Sequence, residues 1–156
     1  MKNIALATLN LVCLSTICLN AQELPKLSEN LEARIKANEP SWKLAHKRFE
    51  DEVCMIGWQS SGTVKGADVW AVIKSLPSVA DAAKELTKGV SSTSIGYSAK
   101  LLGIGEEAYL WKGGRSNRVS MQFRRLNVVV NLVAPSEDQA KRFAKHIIDS
   151  IPAKAK

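Results

Sequence analysis

The chain has 156 residues, 46% of them hydrophobic and 24% charged, with a formal net charge of +7. A chain of this order holds one domain with a real core. Its charge permits attraction to acidic surfaces without fixing a fold or a partner.

Residues 1–21 read as a cleavable secretory signal peptide: Lys2 gives the positive start, an apolar run extends from Ile4 to Leu19, and Ala21 offers a small residue at the cut. A membrane-spanning helix needs about 20 apolar residues. This run has about 16 and is interrupted by Thr8, Asn10, Ser15 and Thr16, so the chain is not expected to be transmembrane after cleavage. Neither Cys13 nor Cys18 follows the small residues that lipidation needs. Cleavage removes both and leaves Cys54 as a lone cysteine, which excludes an intramolecular disulfide and a zinc site built on paired cysteines. With no Asn-x-Ser/Thr acceptor, the expected compartment is the bacterial envelope, periplasmic or extracellular. The expected organisation is a signal peptide over 1–21, a polar, partly helical leader over 22–40, and a single domain over 41–156.

In the leader, Leu24, Leu27, Leu31 and Ile35 recur at helical spacing between charged residues, which suits a short amphipathic helix or a loosely packed arm. Residues 42–49 alternate as a strand, with Trp42 and Leu44 on one face and Lys43, Ala45 and Lys47 on the other. An acidic turn at Glu50, Asp51 and Glu52 leads into a second strand that places Cys54, Ile56 and Trp58 on one side. After a turn at Ser60, Ser61 and Gly62 the chain returns through residues 63–74. The end of that strand, residues 69–73, is apolar on both faces and therefore central or covered. Ser78, with Asp81 three residues on, caps a helix whose stripe is Val79, Ala82, Ala83, Leu86 and Val90, and Gly89 is placed to end it.

Residues 91–105 read as a long loop with a short extended piece. Strands follow over 108–111 and around Val119, Met121 and Phe123. A tight turn at Arg125 and Leu126 leads to a valine-rich strand over 127–133. The last helix opens with Ser136 and Gln139 as a capping box and carries Ala140, Phe143, Ala144, Ile147, Ile148 and Ile151 until Pro152. Asp138 is placed to pair with Arg142.

Residues 72–78 and 130–136 are alike at a constant offset of 58, each a strand running into a Pro-Ser helix start. This suggests a duplicated unit of three strands and a helix. The fold class expected is α+β, an antiparallel sheet with two helices packed on one face.

No catalytic or metal motif emerges, and no cofactor is implied. Cys54 with His46 or His146 as base is the one arrangement offering a nucleophile, and no motif brings them together. Residues 103–105, Gly-Ile-Gly, precede a strand instead of opening a helix, so they read as a turn and not as a phosphate loop. Glu106 and Glu107 are strand neighbours that point apart. Lys112, Arg115, Arg118, Arg124 and Arg125 gather around two turns beside Tyr109 and Trp111. Arg holds carboxylate or phosphate through paired hydrogen bonds, and an aromatic ring offers an apolar platform. Tyr109, Trp111, Arg115 and Arg124 are therefore the candidate binding residues. Their expected partner is an anionic ligand, polymer or envelope surface, because the interleaved exposed aromatics of a nucleic-acid binder are too few.

Residues 103–111, followed by 121–125 and 127–130, resemble a pattern in small uncharacterised exported bacterial proteins. They are also loosely similar to extracytoplasmic sensor-like domains of bacterial kinases and lipoproteins. The resemblance implies a binding module and carries over no catalytic residue. Leu126 stands in the tight turn where that pattern would put Gly. The reading is a non-enzymatic envelope protein that binds a ligand or partner. Its alternatives are a thiol-dependent enzyme using Cys54 and a structural subunit linked through Cys54.

Overall fold

The computed structural model describes residues 19–61, 68–92, 99–112 and 117–152. Residues 1–18 of the expected signal peptide, Gly62 of the Ser60–Gly62 turn, and Arg115 therefore lie outside the described residues. The elements run α1 (Leu24–Asn38), β1 (Trp42–Glu50), β2 (Val53–Ser60), β3 (Asp68–Ser75), α2 (Val79–Ser92), β4 (Ala99–Leu101), β5 (Glu107–Lys112), β6 (Val119–Arg125), β7 (Val128–Ala134) and α3 (Glu137–Ser150). The strands form one antiparallel sheet in the order β1-β2-β3-β7-β6-β5-β4, and the helices pack against it. The α+β class expected from the pattern holds.

Alternation sets the faces. Cys54, Ile56 and Trp58 on β2, Val69, Ala71 and Ile73 on β3, and Val128, Val130, Leu132 and Ala134 on β7 belong to one continuous core with Met121 and Phe123 of β6. Onto this face α1 lays Leu24, Leu27, Leu31 and Ile35, and α3 lays Ala140, Phe143, Ala144 and Ile147. Phe143 sits at the centre, edge-on to Trp42 at 5.1 Å and tilted against Trp58 at 5.3 Å. Each such side chain removed from water contributes about 1.5–3 kcal/mol.

The helices divide between the two faces. Ala82 and Leu86 of α2 pack on Val129, with Tyr109, Leu76 and Val90 around them, in a second cluster separate from the main core. Val129 alternates with Val128 and Val130, so α2 lies across the sheet from α1 and α3. The physical reason is the valine run of β7: apolar side chains on both sides of a central strand require cover on both sides. The expected placement of both capped helices on one face is corrected accordingly. The two lookalike segments show the same thing, because Val72 faces away from the main core while Val130, its counterpart at offset 58, lies within it.

Both helix starts form as their residues dictate. The Ser78 hydroxyl accepts from the Asp81 amide at 3.1 Å, and Ser136 accepts from Gln139 at 3.3 Å. Gly89 does not end α2. It lies inside the helix because the buried Gln122 side chain crosses there, and a Cβ on Gly89 would come 2.4 Å from the Gln122 amide. In β1 the pairing slips between Leu44 and His46, so Lys47 pairs with Ile56 and joins the face of Trp42 and Leu44. One extra residue at a bulge reverses every later side chain in the strand. The Asp138–Arg142 pair is not made, since Arg142 turns to Glu39 at 3.0 Å.

Candidate functional site

Of the residues singled out in the sequence, Tyr109, Trp111 and Arg124 share the sheet face that α2 covers, because Tyr109 pairs with Gln122, Trp111 with Ser120 and Glu107 with Arg124. Tyr109 and Arg124 are committed to neighbours within the fold. The Tyr109 hydroxyl donates to Glu107 at 2.7 Å, and that bond, ahead of burial, raises the phenol above its ordinary pKa. Arg124 reaches Glu106 at 3.3 Å and the Leu126 carbonyl at 3.4 Å. Glu106 also meets Arg125 at 3.3 Å and accepts from the Leu126 amide at 2.6 Å. This carboxylate ties the β6–β7 turn to the start of β5 and stabilises Leu126 at φ 53, a conformation that costs a branched residue about 1–2 kcal/mol. Arg118 donates to the Asp68 carbonyl, and Lys112 approaches Glu137 at 3.9 Å. Much of the basic cluster is thus an internal brace.

Cys54 is fully buried in the main core, and burial pushes its thiol up to about 11, with smaller opposing effects of Lys47 and Glu32. His46 pairs with Gly57 and touches Trp70, so it lies on the opposite sheet face from Cys54. His146 sits on α3, 3.5 Å from Glu39. Neither the nucleophile–base arrangement nor an exposed bridging thiol is assembled.

The concave site lies elsewhere, where α1 passes over the outer edge of the sheet. A groove of about 570 Å³ is lined by Ala33, Ile35, Pro40, Trp42, Leu44 and Trp58, with Glu29, Glu32, Lys36 and Lys43 around it. That volume suits a small ligand. The stripe of α1 and the apolar side of β1 make the floor, and Leu44, 41% exposed, is the large aliphatic group left open to an occupant. Glu32 is engaged by Lys47. Among the described residues Lys36, Lys43 and Glu29 form no ion pair, so the free charge at the rim is two ammonium groups against one carboxylate, a net positive balance.

The fold is similar to a kinase's extracellular domain. The extracellular domain of PknH from Mycobacterium tuberculosis superposes with a TM-score of 0.51 at 12% identity, covering 86% of this chain and 97% of that one. At that identity the likeness concerns architecture alone, and to that extent the resemblance to extracytoplasmic sensor-like domains holds. No protein-family model matches the chain, and no curated relative matches it. Among the described residues no cluster of three His, Cys, Asp or Glu side chains is placed to hold a metal ion, and no helix is long and apolar enough to cross a membrane.

Sequence reasoning missed the groove because its two walls are far apart in character, one a helix in the polar leader and the other an edge strand. The available signal was the alternation of Trp42 and Leu44: Trp42 is buried, whereas Leu44 is on the same face and left uncovered.

Proposed function

We propose that this chain is an exported, non-enzymatic binding module of the bacterial envelope, and that it holds an amphiphile with an apolar body and an anionic head in the groove between α1 and β1. The carrying observation is the apolar floor of Trp42, Leu44 and Trp58 under a rim with unpaired Lys36 and Lys43. Apolar burial supplies the attraction and the ammonium groups select the sign of the head. The extracellular-domain architecture supports export, as does the signal-like start of the sequence.

Titration with dodecanoate, followed by tryptophan fluorescence, tests this reading, with dodecyltrimethylammonium as the charge control. Saturable binding of the anion and at least tenfold weaker binding of the cation are expected. Leu44→Glu should abolish the response with little change in melting temperature, since Leu44 is well exposed. Equal binding of both amphiphiles, or undiminished binding to a folded Leu44→Glu variant, would refute the assignment.

A further inference from the structure

The chain just before α1 is gripped in an unusual way. Leu19 is buried in the main core at 4% exposure, and its peptide groups meet two buried polar side chains. Its N–H donates to Asn127 Oδ1 at 2.8 Å, and its carbonyl accepts from Asn127 Nδ2 and Ser75 Oγ, each at 2.6 Å. Asn127 has no exposed surface and also donates to the Leu76 carbonyl at 2.5 Å, which fixes its amide plane. Ser75 is 3% exposed. One side-chain amide therefore reads a backbone N–H and a backbone C=O together, as a neighbouring strand would, while the core receives the leucine side chain.

Signal-peptide cleavage after Ala21 would remove Leu19 from the folded protein. Asn127 Oδ1 would then keep no partner from the described residues, and the Ser75 hydroxyl would lose its acceptor. Buried polar groups without partners are costly, and an apolar socket beside them favours an occupant that satisfies both. We propose that in the exported chain this slot is a recognition site for an extended peptide segment of a partner protein, taking one leucine-like side chain and the amide and carbonyl of that residue. The slot is distinct from the α1–β1 groove and depends only on the export part of the reading above. An apolar body alone would not fill it, because the paired donor and acceptor demand the two peptide groups that flank one residue.

The test begins with the mass of the mature protein recovered from an exporting bacterial host, which should place the N-terminus at Gln22. That protein is then titrated with acetyl-Ile-Ala-Leu-Asn-amide by calorimetry, alongside the same peptide N-methylated at leucine. Loss of the N–H to Asn127 should weaken binding about tenfold or more, and Ser75→Ala should weaken the unmodified peptide by a comparable factor while the variant stays folded. A mature chain that retains Leu19 would overturn the slot while leaving export intact. An uncut chain would overturn both. A chain beginning at Gln22 that binds both peptides equally, or neither, would overturn the slot alone.

Discussion

Gly103 and Gly105 share a left-handed backbone, with φ 79 and 58, but have different surroundings, so alanine at each separates conformational strain from steric contact. At Gly103 nothing lies within 4 Å of a new Cβ. Gly103→Ala should therefore cost only the left-handed penalty, about 1 kcal/mol after the loss of unfolded-state freedom is counted. At Gly105 the Cβ would stand 2.2 Å from the Arg124 carbonyl oxygen, a backbone atom that cannot swing aside. Making room moves the chain away from β6 and stretches the bond from the Glu106 amide to that same oxygen, now 2.9 Å. It also shifts the Glu106 carboxylate that holds Arg124, Arg125 and the Leu126 amide. Losing one backbone bond and weakening a charged cluster adds about 2–3 kcal/mol, so Gly105→Ala should cost about 3–4 kcal/mol. Urea unfolding of both variants reads the difference as a shift in midpoint of about 1 M at unchanged slope. Equal and small costs at the two sites would refute the contact and the brace built on it.

Cys54 should react with a thiol reagent at near-neutral pH far more slowly in the folded protein than in denaturant, because raising its pKa from 9.0 to about 11 lowers the thiolate fraction roughly a hundredfold and burial adds a steric barrier. The same displacement sets a pH dependence. Between pH 9.0 and about 11 the folded state keeps a proton that the unfolded state releases, so stability falls as pH rises through that window. Unfolding curves should lose this component in Cys54→Ala, and an unchanged slope of stability against pH would contradict it. Phe143→Ala removes a fully buried ring between Trp42 and Trp58 and should cost about 3–5 kcal/mol by thermal or chemical unfolding, with a change in tryptophan emission.

What the sequence made legible were features decided locally. Ser78 with Asp81 and Ser136 with Gln139 start helices where their spacing says, and Cys54, Ile56 and Trp58 share a face because alternation leaves no choice. The misreadings involve partners distant along the chain. Gly89 looks like a helix end until Gln122 of β6 is seen to cross it. Lys47 changes side because the register slips at Ala45, and no local propensity announces that slip. Arg142 prefers Glu39, contributed by the end of α1, to its own neighbour Asp138. At the candidate site, composition drew attention to Tyr109, Trp111 and Arg124. Local charge could not reveal that Glu106 and Glu107 already occupy two of them.

The pairing of β3 with β7 joins two strand sets, each built from neighbours in sequence, through partners running from Trp70 with Val133 to Ser75 with Val128. Hairpins such as β1–β2 and β6–β7 close short loops and can form early, whereas this seam must wait for a long loop to close. Each half shows raw edges and a bare apolar face until then, so the slow step of folding should also be the one most exposed to aggregation. The seam is where a chaperone or a second copy caught in mid-folding would most readily intervene.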